Sequence, residues 1–269
     1  MKIAALQTVS GASVDANLAT ARGLLAEAQA AGAELAVLPE YFCLMGQRDR
    51  DKLAVREPFG DGQVQSFLAQ QARELGMWIV GGTLPLVADS DAHVRNASLA
   101  YSPAGECVAR YDKIHLFRFD NGREQYDESR VIEGGSAPQS FTLPSSDGHA
   151  WRIGLSVCYD LRFPELYRAL AADLLLVPSA FTFVTGQAHW ELLLRARAVE
   201  NLAFVCAPAQ GGRHDNGRRT WGHSMIVDPW GEVLAVRAEE GAGVVLADLA
   251  PDRLAQVRAQ LPALDHRVL

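Results

Sequence analysis

Short apolar runs with β-branched residues recur along the chain, at KIAALQT, ELAVLPE, MWIVGGT, NASLAYS, CVARYDKI, WRIGLSVC, DLLLVPSA, NLAFVCAP, HSMIVDP, EVLAVR and GVVLADL. Their length and their Gly, Pro, Asn and Asp boundaries predict strands for most of them. Between some lie segments with a three- and four-residue apolar period. In ANLATARGLLAEAQAAG that period is carried by Leu18, Ala21, Leu24, Leu25 and Ala28, with Gly32 as the expected C-cap. Similar helical faces occur in QSFLAQQAREL, PELYRALA, HWELLLRARAVEN and PDRLAQVRAQL. Ser102-Pro103-Ala104-Gly105 and Asp228-Pro229-Trp230-Gly231 each separate two strand runs with turn residues, which predicts two hairpins. Hairpins mixed with strand-helix alternation imply sheets carrying helices on their outer faces. One long stretch, about Leu116 to Ser140, reads as an irregular loop, and such loops in compact domains are often functional.

At 269 residues and 49% hydrophobic positions, the chain buries a substantial core and fits one domain over 1–269. A net charge of -7 leaves no global basic field, so neither a nucleic-acid nor an anionic-membrane partner is expected. The one basic segment, GGRHDNGRR, is short and Gly-rich and reads as a solvated loop. The apolar run at the N-terminus breaks at Gln7, and no window is long enough to span a membrane, so a soluble cytoplasmic protein is expected. The four cysteines are far apart and form no C-x-x-C pair, which argues for reduced thiols rather than a zinc site or disulfide framework.

Three polar residues end apolar runs: Glu40 after LAVLP, Lys113 after CVARYD and Cys158 after IGLSV. Each type has an ordinary use, as a cap, a surface charge or a small core residue, and spacing alone does not bring them together. Together they would make a complete amide-cleaving set. A neighbouring ammonium favours thiolate, a fixed cation stabilises the oxyanion, and a carboxylate carries protons between thiol, leaving amine and water. The lysine would supply the positive charge, so no metal and no cofactor are expected.

Several rivals share the sequence. His115, two residues beyond Lys113, could form a Cys-His pair on the same face, although a papain-type sequence around the cysteine is absent. Ser156 falls at the serine of a G-x-S-x-G elbow, but Cys158 replaces the last glycine. His189, Glu191 and His223 lack metal-ligand spacing, and Cys43, Cys107 and Cys206 read as packing residues.

The motifs LAVLPEYF, YDKIHLF and GLSVCYDLRFPELY, with PSAFTFVTGQAHWELLLRARAVEN and WGHSMIVDPWGEV, resemble the nitrilase superfamily of carbon-nitrogen hydrolases almost end to end. The resemblance implies a four-layer αββα sandwich with Glu40 as general base and acid, Lys113 as electrostatic stabiliser and Cys158 as nucleophile. It also implies that Glu128, in YDESRVIEGG, orients Lys113, and that the Tyr159 N–H is a second oxyanion donor. CYDLRFPELY, AHWELLLRARAVE, AQGGRH and GHSMIVDPWG look most like the Nit-type amidases. That branch implies a small carboxylate-bearing amide as substrate, deaminated glutathione first, with α-ketoglutaramate as the neighbouring alternative. An N-carbamoyl hydrolase, a nitrilase and a non-catalytic interaction module on the same scaffold are the further alternatives. Arg162 offers a bidentate partner for a carboxylate, unless it pairs with Glu165, and Thr185 is a further contact. The resemblance implies a homodimer or higher homo-oligomer, with HWELLLRARAVEN on the shared face and LPALDHRVL reaching the partner or fraying. Two departures stand out: a shorter helix-to-strand connection in ELYRALAADLLLVPSA, and Arg118-Phe119 where an acidic residue is common.

Overall fold

The computed structural model describes residues 1–122 and 124–268; Arg123 of the long loop and Leu269 of the C-terminal segment lie outside them. Strands β1 (Lys2–Gln7), β2 (Leu35–Val37), β3 (Trp78–Val80), β4 (Leu84–Val87), β5 (Val94–Tyr101) and β6 (Cys107–Asp112) build most of one sheet. A small hairpin, β7 (Arg118–Asp120) and β8 (Gln125–Asp127), precedes the second sheet. That sheet uses β9 (Gln139–Pro144), β10 (Ala150–Leu155), β11 (Leu174–Leu176), β12 (Phe204–Ala207), β15 (Met225–Val227) and β16 (Val233–Val236). Strands β13 (Gly211–Arg213) and β14 (Arg219–Trp221) form a second small hairpin, and β17 (Gly243–Asp248) returns to pair with β1.

Each sheet has a parallel centre flanked by antiparallel strands. In the first, β1, β2 and β3 run parallel between β17 and β5; in the second, β10, β11 and β12 run parallel between β9 and β15. The two-residue side-chain period divides each strand between two cores. Ile3 and Ala5 of β1 face the second sheet's Phe141, Leu143 and Trp151 side of the molecule, while Ala4 and Leu6 pack under helices α1 (Val14–Ala30) and α2 (Gln63–Leu75). Helices α3 (Pro164–Leu170) and α4 (Phe183–Asn201) cover the far face of the second sheet, which completes the expected αββα layering. Helix α5 (Pro251–Gln260) buries Leu254 and Val257, and its Arg258 binds Asp173 and the Ala172 carbonyl.

Both expected hairpins form, with Gly105 and Gly231 donating back to Ser102 and Asp228. Four expectations need correction. Ala31 caps α1, and Gly32 (φ +82°) turns the chain one residue later. Helix α4 begins at Phe183, ahead of the HWELLLRARAVEN segment. The 116–140 stretch is not irregular throughout: it carries β7, β8 and a 3₁₀ turn, Glu128–Arg130. GGRHDNGRR is a hairpin with a buried His214 rather than a solvated loop.

Glycine is required at position 82. Its φ is +49°, and a Cβ there would come 2.0 Å from the Pro39 carbonyl oxygen, in the turn that presents Glu40. Gly82→Ala is expected to cost about 3 kcal/mol of stability, measured by urea unfolding, since strain and clash both fall on backbone.

Candidate active site

Glu40, Lys113 and Cys158 come together where β2, β6 and β10 end. The local backbone is bent sharply there. Tyr41 has φ +58° and Cys158 has φ +50°, left-handed values that side chains larger than glycine keep only under constraint. At Tyr41 the backbone N–H donates to Thr83 Oγ1 at 2.9 Å. At Cys158 the constraint is Asp160, fully buried within the 3₁₀ turn Cys158–Arg162. Its carboxylate accepts from the Val157 N–H at 2.8 Å, the Tyr111 hydroxyl at 2.7 Å and the His115 N–H at 3.1 Å, and lies 2.7 Å from His115 Nδ1. His115, stacked on Phe163 at 3.7 Å, is therefore engaged with Asp160 rather than paired with the cysteine.

Lys113 is the charge centre. Its buried Nζ donates to Glu40 Oε1 at 2.9 Å and to Glu128 at 3.0 and 2.8 Å. The carboxylates have further donors: Asn96 Nδ2 and the Ala180 N–H on Glu40, the Tyr41 hydroxyl and the Phe117 N–H on Glu128. Burial alone would lower the Lys113 pKa, but the charges of Glu128 and Glu40 outweigh it and hold the ammonium above its ordinary value. Burial likewise works to raise Glu128, and Lys113 with the hydrogen bonds overcomes it, so that carboxyl is held below 4.5. At Cys158, burial and then Glu40 push the thiol well above its ordinary value, against the pull of Lys113. The pull of Lys113 toward thiolate, expected from the sequence, is present but is outweighed by burial and Glu40.

Cys158, Glu40 and Glu128 line a narrow cavity, walled in part by Tyr159, Arg162 and Thr185. The Arg162 guanidinium lies over the Tyr159 and Phe181 rings, with His189 Nδ1 at 3.4 Å; among the described residues it makes no ion pair with Glu165. Thr185 is buried in the first turn of α4, sharing a 2.7 Å hydrogen bond with Thr182. The other candidates lie elsewhere. Ser156 Oγ donates to the Leu176 carbonyl, and His223 stacks on Trp221. Cys43 and Cys206 are packed in the interior as expected, but Cys107 is exposed. Among the charged cavity residues, Arg218 has no counterpart among the sequence candidates; it lies in the segment whose composition suggests a solvated loop. Its signal there is charge alone, with no pattern to aim it inward.

The carbon-nitrogen hydrolase family profile matches residues 2–259. A deaminated glutathione amidase from Synechocystis sp. (strain PCC 6803 / GT-S) is 42% identical over 271 residues, covering 98% of this chain and 97% of its own. Human omega-amidase NIT2 is 36% identical over 258 residues, 93% of this chain and 89% of its own. Among solved structures, the C. elegans NitFhit protein superposes with a TM-score of 0.89 at 34% identity; 99% of this chain is covered, spanning 65% of the NitFhit chain. Saccharomyces cerevisiae Nit3, a member of branch 10 of the nitrilase superfamily, gives 0.86 at 30% identity, covering 100% and 97%.

The charge cluster sets an acid limb. Because Glu128 titrates lower in the folded state than its ordinary 4.5, its stabilising contribution is complete above that value and is lost as pH falls through the folded pKa. Glu128→Gln is expected to cost about 3 kcal/mol near neutral pH by removing one partner of a buried pair. Urea midpoints of the variant should then fall less than those of the wild type between about pH 5 and pH 3.

Proposed function

The chain belongs to the carbon-nitrogen hydrolase family and hydrolyses amide C–N bonds, and from that premise we propose that its substrate is deaminated glutathione, cleaved between the 2-oxoglutaryl group and the departing cysteinylglycine. The observation that supports the mechanism is that Glu40 and Cys158 line one cavity and that Lys113 is bonded to both Glu40 and Glu128 beside it. In this reading Cys158 Sγ attacks the amide carbonyl as Glu40 takes the thiol proton, which suits a thiol that is neutral at rest. Lys113 Nζ and the Tyr159 N–H stabilise the oxyanion. Glu40 then protonates the leaving nitrogen, the C–N bond breaks, and a thioester remains on Cys158. Water, deprotonated by Glu40, attacks the thioester; its collapse releases the acid and returns the proton to sulfur. Glu128 positions Lys113, and Arg162 with Thr185 holds the carboxylate end of the acyl half.

α-Ketoglutaramate is the second reading, since it presents the same acyl half; the higher identity of the deaminated glutathione amidase, 42% against 36%, favours the first. Four free cysteines support a cytoplasmic enzyme, and among the described residues no helix is long and apolar enough to cross a membrane. In this reading one domain spans 1–269. We also infer a homodimer formed through α4. Leu192 on that helix is 67% exposed and lines a groove with Val233 and Val236 of β16, an apolar patch that a second copy would cover.

Cys158→Ala is expected to lower release of 2-oxoglutarate from deaminated glutathione by about 10⁴-fold or more, with the thermal transition retained. Turnover within tenfold of wild type would sink the mechanism. Leu192→Asp should convert a dimer to a monomer in sedimentation equilibrium; a wild-type monomer would remove the proposed interface.

A further inference from the structure

Two cations beside the site have no task in the proposed mechanism. Arg218 precedes β14 and lines the cavity that holds Cys158. Its Nη2 donates to the Ala180 carbonyl at 2.8 Å, and the N–H of that same Ala180 is on Glu40, so Arg218 stands one residue away from the carboxylate. Its guanidinium lies over the Tyr126 ring at 5.2 Å, while Nε is buried without a hydrogen-bond partner among the described residues. Lys52 lies in the 3₁₀ segment Asp49–Val55, its side chain 15% exposed. The ammonium is 4.8 Å above the Tyr41 ring, and its ion-pair partner is Asp49, 3.9 Å away on an outward-facing side chain.

Lys52 and Arg218 line a second, narrow cavity, which shares Phe117, Glu128 and Arg218 with the first. Its carboxylates make their short bonds elsewhere, none of them to Lys52 or Arg218. Glu128 is bound to Lys113, Tyr41 and Phe117, Asp127 to Ser129 and Arg130, and Asp49 reaches Lys52 only at the long distance above. Burial lowers the Lys52 pKa and the nearby Arg218 adds to the lowering, against the opposing charges of Asp49, Glu128 and Glu40. A carboxylate seated between the two cations would supply acceptors to both and remove their repulsion.

We propose that Lys52 and Arg218 form a second carboxylate subsite, which holds the terminal carboxylate of the peptide that leaves when the amide is cleaved. The assignment rests on the substrate class proposed above. The acyl half occupies the first cavity, with Arg162 and Thr185; the leaving dipeptide extends past Glu128 into the second. Two extended residues span about 7 Å, so the peptide carboxylate lies well outside the acyl cavity. α-Ketoglutaramate releases only ammonia and makes no use of this subsite. The second cavity therefore separates the two candidate substrates.

The test compares deaminated glutathione with its C-terminal carboxamide, which removes the charge and keeps the scissile bond. In wild type the carboxamide is expected to lose about 10- to 100-fold in kcat/KM, mostly through KM. In Lys52→Met the acid and the carboxamide should differ by less than about threefold, with Lys52→Arg restoring most of the preference and Arg218→Gln reducing it. A merely structural role would lower turnover of both compounds and preserve their ratio. Equal efficiency on acid and carboxamide in the wild type overturns the subsite and leaves the substrate standing, a result that needs no variant to fold. An unchanged preference in Lys52→Met overturns the assignment to Lys52. Hydrolysis of α-ketoglutaramate with neither peptide cleaved overturns the substrate and the subsite together.

Discussion

The buried ammonium of Lys113, held between Glu40 and Glu128, is the constraint around which this end of the molecule is arranged. A charge removed from water at this depth is costly unless close partners and further hydrogen bonds compensate it. The compensation here draws on distant parts of the chain. Asn96 comes from β5, Tyr41 from the turn after β2, Phe117 from the long loop, and Ala180 from the strand end beyond β11 in the other sheet. Satisfying Lys113 therefore brings both sheets and the loop to one point.

The same logic explains the second tier. A cysteine with φ +50° cannot hold that geometry by its own preference, and Asp160 supplies the hold with four contacts within 3.1 Å. His115 and Tyr111 lie on or just beyond β6, the strand that delivers Lys113. The elbow carrying the thiol is thus fastened to the strand carrying the cation. That fastening gives His115 a structural use in place of the catalytic one its position suggests.

Features governed by local pattern are legible in the amino-acid sequence alone. The strand-end positions of Glu40, Lys113 and Cys158, the α1 and α2 faces and both proline-glycine hairpins follow from two- and 3.6-residue periods and turn chemistry. What stays hidden depends on long-range contact. Pro85 sits inside β4, which is too short and too irregular to read as a strand, and β7 and β8 hold charged residues that their hairpin partner, rather than hydrophobic alternation, puts in order. Glu128 is reached only through family resemblance, because an acid in a polar loop looks solvated until Lys113 is placed against it. Lys52 and Arg218 stay hidden for the same reason: RDRDK and NGRR are charge runs, and only the fold turns one cation of each inward.

The protonation state of the resting site bears on how selectivity arises. Were Lys113 to favour thiolate at rest, any electrophile small enough to enter the cavity would meet an activated sulfur. Burial and the negative charge of Glu40 instead push the thiol above its ordinary value, against the pull of Lys113. In the proposed mechanism, proton transfer to Glu40 raises the charge on sulfur while lowering it on the carboxylate beside it, so the thiolate gains its stabilisation only as that carboxylate is neutralised and Lys113 is left to face the developing oxyanion. Attack, proton transfer and electrostatic stabilisation are thereby tied to one geometry. In the proposed mechanism selectivity then rests on whatever holds the carbonyl in register, the role proposed for the cations at the cavity walls.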